Sequence, residues 1–311
     1  MTVFNTTRRT LLTLIGGLSI FREARGRGAD TFTLVPQLAP GQVHRYRQDT
    51  HLRRNGAVGH RSRSIVTLEI GERVAQGWRA SWTSSRGELL DADPQMRPLL
   101  EALMSLWEGI AIELLLDDSG RVLGLADPEA VRMRGKASLD RLVALLQADP
   151  SRAPITGPLQ AVMQQMTIES GMLARTLLKE PSILLGAMGN DYRVGVPLEV
   201  RTRVASPMGS GEIPVLGRYQ VRGISSRDAR ADIGWLMVLD AASLARTLAA
   251  EIQGLARAPV ADSLTGLDFD DRGDFIIDTA SAWPASVRHE RRVSIGEASR
   301  IDTVKLTRLE G

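Results

Sequence analysis

The chain has 311 residues, no cysteine, and 39 Lys and Arg against 36 Asp and Glu, which gives a formal net charge of +3. The absence of cysteine excludes disulfides, thiolate catalysis and cysteine metal sites. A hydrophobic fraction of 43% and the lack of any low-complexity tract are typical of a globular chain and argue against a disordered one.

The first 28 residues have the layout of an export signal. Arg8 and Arg9 precede an apolar run over 11–21, which is shorter than the roughly 20 residues of a membrane-spanning helix. The arginine pair followed by two leucines resembles the twin-arginine export signal. The alternative is an ordinary N-terminal helix, against which Gly16 and Gly17 argue. We therefore expect a periplasmic or secreted protein with no transmembrane segment in its mature form.

Cleavage of this signal would change the charge of the chain. Residues 1–28 hold five arginines and one glutamate, so the remainder is nearly neutral. The basic isoelectric point of about 9.6 is thus partly a property of the signal. We expect no nucleic-acid partner.

The next segments alternate in the manner of antiparallel strands. Residues 42–52, 61–70 and 77–84 are separated by the turn signals Asn55-Gly56 and Gly71. A helix is predicted over 94–107, because its apolar residues recur with helical spacing. Residues 110–116 and 121–125 then form a predicted hairpin around 117–120.

Helices are predicted for the middle of the chain and strands for the rest. A helix start at Asp127-Pro128-Glu129 is followed by helices over 139–147 and 158–179, with breaks at Gly157-Pro158 and Glu180-Pro181. The later predicted elements are strands over 198–204, 215–224 and 232–239, a helix over 241–256, a hairpin of 267–270 and 274–278 turning at Asp271-Arg272-Gly273, and strands over 285–295 and 299–309.

These elements predict an α+β fold. We expect a single domain over 30–311, with two similar halves, 30–190 and 191–311, as an open alternative. About eleven or twelve antiparallel strands would form a strongly curved sheet, a half-barrel, covered by a central helical block that buries its apolar face.

Three segments carry a resemblance to a known class: GQVHRYRQDT, LLLDDSGRVLGL and GDFIIDTASAWPASVRHERRVSI. They resemble bacterial exported proteins with a LolA-like or LppX-like half-barrel, including uncharacterised families. The resemblance implies that a lipid or another apolar molecule is held between the sheet and the helices, without catalysis. Because the chain has no lipobox cysteine, it differs from those proteins of this class that are tethered to a membrane as lipoproteins.

Methionines are concentrated in the predicted helical middle of the chain. Seven of the ten methionines lie between residues 96 and 188, and flexible thioethers can line surfaces that accept varied apolar ligands. Ordinary core packing is the alternative for these methionines. Trp78 and Trp82 share one face of a predicted strand and have the same two interpretations, ligand contact or core packing. The predicted ligand-binding residues are Met96, Leu99, Leu100, Leu103, Met104, Trp107, Met163, Met166, Trp78 and Trp82.

Charge is segregated along the chain. Residues 43–63 hold six arginines and one aspartate, whereas residues 88–129 hold ten acidic residues and two arginines. The basic hairpin could contact an anionic membrane surface or an acidic partner, or it could simply protect a solvated sheet edge. The residues predicted to contact an anionic partner are Arg45, Arg47, Arg61 and Arg63.

Catalytic and metal-binding signals are weak. His44 and His51 lie seven residues apart, which places them on opposite faces of a strand. The carboxylates of 268–278 fit a calcium loop poorly, since Arg272 and Thr279 stand where oxygen ligands are needed. We predict no catalytic residue, no metal and no cofactor.

The predicted function is a non-catalytic periplasmic carrier for an apolar or amphiphilic, lipid-like ligand. The first alternative is an envelope interaction or structural module that uses the basic hairpin. The second is a hydrolase with a carboxylate site drawn from 268–278. The oligomeric state is not predicted.

Overall fold

The structure is a computed structural model that describes residues 31–85, 87–148, 156–157, 170–205, 212–240 and 267–310. Antiparallel strands dominate the described residues, and three α-helices accompany them. The predicted α+β class is confirmed. No described helix combines the length and the hydropathy that crossing a membrane requires.

The strands fall into two hairpin-rich groups along the chain. The first group is β1 (Thr31–Thr33), β2 (Val43–Arg54), β3 (Ala57–Val74), β4 (Gly77–Ser84), β5 (Glu88–Ala92), β6 (Ile112–Leu116) and β7 (Val122–Leu125). The second group is β8 (Asp191–Arg193), β9 (Leu198–Ala205), β10 (Glu212–Ser225), β11 (Arg230–Leu239), β12 (Leu267–Asp278), β13 (Pro284–Ile295) and β14 (Ala298–Arg308).

Twelve of these strands form one antiparallel sheet. Its order is β7-β6-β4-β3-β2-β14-β13-β12-β11-β10-β9, and β5 pairs with the free part of the long strand β3. The chain's last strand, β14, pairs with β2 and so joins the two groups. Strands β1 and β8 form a separate pair. Within the described residues the sheet is open, with β7 and β9 at the ends of its path.

Three helices accompany the sheet: α1 (Arg97–Leu106), α2 (Pro128–Gln147) and α3 (Ser170–Leu185). Helix α3 contacts both β7 and β13, whereas α1 contacts α2 and β5. Helix α2 begins where the sequence predicted, because the Asp127 carboxylate accepts a hydrogen bond from the Ala130 amide at 2.9 Å and Pro128 follows it.

The core lies between α3 and one face of the sheet. Strand alternation places apolar residues of β2, β3, β6 and β10–β14 on that face. We call it the inner face. The largest fully buried side chains include Trp283, Tyr46, Tyr192, Leu34, Leu68, Ile70, Leu106, Leu114, Leu116 and Leu184.

Two satellite clusters lie outside this core. Ala102 of α1 packs with Val143 and Leu146 of α2. Val215, Met237 and Phe269 form a second cluster on β10–β12. A single domain over 30–311 and two similar halves, 30–190 and 191–311, both remain predictions.

The predicted hairpin turn at Asp271-Arg272-Gly273 is wrong. Residues 267–278 form one continuous strand, β12, paired with β11 and β13. Alternation sends the Asp271 carboxylate to the inner face, where it has buried partners, and sends Arg272 outward to the carboxylate of Asp270 at 2.7 Å. Cross-strand ion pairs thus replace the turn that Asp and Gly suggested.

Two predicted breaks are also wrong. Gly71 lies inside β3 next to an irregularity in its pairing with β4. Helix α3 continues through the predicted break at Glu180-Pro181 to Leu185 instead of ending at Lys179. The Asn55-Gly56 turn is confirmed, with φ of 48° and 79° at its two residues. The predicted helix over 241–256 and residues 158–169 of another lie outside the described residues.

Candidate functional site

A cleft lies between helix α2 and the segment that follows α1. Its volume is about 510 Å³, and it is lined by Gly109, Ile110, Ala111, Arg134, Ala137 and Arg141. This volume falls within the range of ligand pockets, about 300 to 1,000 Å³. Among the described residues its lining is mostly apolar and open to solvent, with two guanidinium groups and no carboxylate.

Helix geometry explains how α2 contributes to this cleft. Arg134, Ala137 and Arg141 follow i, i+3, i+7 spacing, which aligns them along one face of the helix. The opposite wall begins shortly after the end of α1, at Gly109 with φ of 68°. One guanidinium is fixed between the two walls, because Arg134 Nη1 donates a hydrogen bond to the Ala111 carbonyl at 3.0 Å.

Trp107, the residue that follows α1, packs against the main core and against α2. Its indole lies so close to α2 that a Cβ at Gly135 would be 2.7 Å from the ring. Only glycine at this position allows that approach. The predicted helix face on α1 meets α2 elsewhere, through Ala102, Val143 and Leu146.

Comparison with known proteins gives little beyond this geometry. No family model matches the sequence. No curated protein matches it. The chain is similar to a solved structure described as lipid–protein interactions in lipovitellin, with 11% identity and a TM-score of 0.45. The similarity covers 88% of this chain and 26% of that one.

The other predicted ligand-binding residues of α1 lie at its surface or against α2. Met96 is 45% exposed. Leu99 and Leu103 are half-buried and pack on the cluster that α1 shares with α2. Leu100 and Met104 are also half-buried. Met163 and Met166 lie outside the described residues.

The two tryptophans of β4 lie on the core side of the sheet. Trp82 is buried in the main core, and Trp78 packs against it. Trp78 also donates a hydrogen bond from Nε1 to the Asp118 carboxylate at 3.2 Å. Neither residue lines the cleft.

The four predicted anion-contacting arginines all lie on the face of β2 and β3 opposite the core. Arg47 and Arg63 share the Asp49 carboxylate, at 3.2 and 2.7 Å. Arg45 and Arg61 have no ion-pair partner among the described residues. Two of the four arginines therefore share one carboxylate, which balances only one of their two positive charges.

A second polar cluster lies on the inner face of the sheet. Asp271 is 1% exposed and contacts His289 Nε2 through one carboxylate oxygen. Its other oxygen accepts a hydrogen bond from Arg291 Nε at 2.9 Å. Burial alone would raise the pKa of Asp271, but the hydrogen bonds and charges of His289 and Arg291 hold it below its usual value.

Helix α3 brings another carboxyl group to this cluster. Burial raises the pKa of Glu180, whose surroundings include the charges of Lys179, His289 and Asp302. The cluster pairs its charges internally, which favours a structural role over the predicted alternative of a hydrolase site. Across the described ranges, no three His, Asp or Glu residues are arranged to hold a metal ion.

Sequence reasoning missed the cleft. A signal was available in the spacing of Arg134, Ala137 and Arg141, which predicts two arginines and a small residue on one helix face. The opposite wall had no such signal, because residues 109–111 reach α2 only through the packing of α1 and Trp107.

Proposed function

We propose that this protein is a non-catalytic periplasmic carrier that binds an apolar or amphiphilic, lipid-like ligand. The main observation that supports this proposal is the mostly apolar cleft of about 510 Å³ beside α2. Half-buried apolar side chains of α1, Leu99 and Leu103, pack on the same helix α2. Apolar pockets with a few placed polar groups are the usual form of small-molecule sites.

The arrangement of α3 supports the predicted strong curvature of the sheet. Helix α3 contacts β7 and β13, which five other strands separate in the sheet order. In a flat sheet six strand spacings would cover about 29 Å. A helix of 16 residues is about 24 Å long. Curvature brings the two strands closer together and lets one helix reach both.

Blocking the cleft tests the proposal. We expect Ala137→Trp to weaken binding of the apolar fluorophore N-phenylnaphthylamine about tenfold, since an indole would occupy space that the probe needs. Fluorescence titration measures this, and displacement by hexadecanol checks that a lipid-like molecule competes.

Arg132→Trp is the matched control. Arg132 is exposed on the other side of the same helix and does not line the cleft, so this variant should bind like the wild type. Equal affinity of the wild type and Ala137→Trp would contradict the assignment of this cleft.

A second candidate function uses the outer face of β2 and β3, where Arg45 and Arg61 have no ion-pair partner in the described parts of the chain. Such an envelope interaction module would bind vesicles with anionic phospholipids through these arginines. Charge reversal at Arg45 and Arg61 would then abolish vesicle co-sedimentation and leave N-phenylnaphthylamine binding unchanged. Co-sedimentation that survives both reversals would reject this second function.

A further inference from the structure

The two arginines of the cleft suggest which ligands it takes. Arg134 is held by its hydrogen bond to the Ala111 carbonyl at 3.0 Å, so one guanidinium is already positioned at the wall. Arg141 lies two helical turns further on, and long arginine side chains so spaced can converge on one group.

Acidic partners are missing from this site. No carboxylate of the described residues lines the cleft, and none of them forms an ion pair with Arg141. The neighbouring Asp140 is already bound by Lys136 at 2.7 Å. This contrasts with the rest of α2, where Arg132 is paired with Glu129 at 2.6 Å. Within the described residues, therefore, neither Arg134 nor Arg141 forms an ion pair.

The apolar part of the lining gives the ligand its second property. Ile110, Ala111 and Ala137 contribute hydrocarbon surface next to the guanidinium groups. A site with adjacent apolar and cationic surfaces favours a molecule that has both an apolar chain and an anionic end.

We infer that the cleft binds an amphiphile with an oxyanion head group, a carboxylate or a phosphate, held by Arg134 and Arg141. This inference rests on the proposed carrier function and specifies the ligand class of the same cleft. Arginine recognises both head groups through the same planar array of donors.

Probes with one hydrocarbon chain and different head groups test the inference on the full-length protein. We expect palmitate and hexadecyl phosphate to displace N-phenylnaphthylamine with about tenfold higher affinity than hexadecanol. The preference for the anions should shrink as salt concentration rises, because ions screen partly exposed charges. Comparing palmitate with hexadecyl phosphate distinguishes the two head groups.

Matched variants then assign the preference to the cleft. Arg141→Gln should lower the affinity for palmitate about fivefold and leave that for hexadecanol unchanged. Arg132→Gln makes the same substitution on the other side of the helix and should change neither affinity. Arg141 is exposed and has no described ion pair, so the variant should fold.

The outcomes separate this inference from the function on which it rests. If hexadecanol binds as tightly as palmitate, or if Arg141→Gln weakens both equally, the inference is overturned and the carrier function stands. If the wild type binds none of the probes, both are overturned.

Discussion

Asp271→Ala should lower the free energy of unfolding by about 3 kcal/mol. The Asp271 carboxylate is 1% exposed and holds His289 and Arg291 on the inner face of the sheet. Removing it leaves a buried imidazole and a partly buried guanidinium without their partner, and breaking a buried ion pair in this way costs about 3 to 5 kcal/mol. We expect the lower end of this energy range because 37% of the Arg291 side chain is exposed to solvent. Urea unfolding measures the change.

Asp274→Ala is the control on the same strand. Asp274 lies on the opposite face of β12, and its carboxylate pairs with Arg222 at 2.7 Å with half of its surface in solvent. Exposed ion pairs contribute about 0 to 1 kcal/mol, so this variant should unfold nearly like the wild type. Similar losses in the two variants would contradict the structural role assigned to the buried cluster.

Stability should also fall by up to about 3 kcal/mol between neutral pH and about pH 4, through His44. His44 is 3% exposed and its ring centroid lies 3.8 Å from that of Trp283. Neither ring nitrogen has a hydrogen-bond partner among the described residues. Burial, with a smaller contribution from the charge of Arg308, lowers the pKa of His44 from 6.5 to about 4.

The direction of this pH effect on stability follows from proton uptake by the unfolded chain. Between pH 6.5 and about 4 the unfolded chain protonates this histidine and the folded protein does not, so acid favours unfolding in that window. Each unit of pKa difference is about 1.4 kcal/mol, which gives the expected size.

His44→Phe isolates this effect, because it removes the titrating group and keeps an aromatic ring against Trp283. Urea unfolding at about pH 7 and about pH 4.5 should show a clearly smaller pH dependence for this variant than for the wild type. Glu180 opposes His44 at these pH values, since its raised pKa lets the folded state hold a proton that the unfolded chain releases, but Glu180 is present in both proteins. An unchanged pH dependence would show that His44 is not the responsible group.

Much of the sheet could be predicted from local pattern. In β2 and β3 the alternation of side chains defines both strands, and Asn55-Gly56 defines the turn between them. Sequence alone is therefore enough to predict this hairpin. The same alternation put His44 and His51 on opposite faces, as the structure has them. Such features depend only on neighbours in sequence.

Strand β12 shows where local pattern fails. Asp271-Arg272-Gly273 has turn-forming residues, yet cross-strand partners on β11 and β13 keep it extended. Helix α3 continues past Pro181 for a comparable reason, because Leu184 and Leu185 beyond it are buried in the core. Tertiary contacts outweigh residue preference in both places.

The cleft could be predicted only in part. Helical spacing indicates that Arg134 and Arg141 share a face of α2, but nothing local places Ile110 and Ala111 across from them. The predicted ligand-binding residues of α1 lie on a helix that packs against α2. The prediction did not include Arg134 and Arg141 of α2.

The most direct test of the carrier function is native mass spectrometry of the protein isolated from the periplasmic fraction, followed by extraction and identification of bound lipid. We expect a mature chain that has lost about 28 residues at its N-terminus and carries a single-chain amphiphile, which Ala137→Trp reduces and Arg132→Trp does not. A protein that is found only in the cytoplasm, or that carries no ligand and binds none of the probes, would contradict the account.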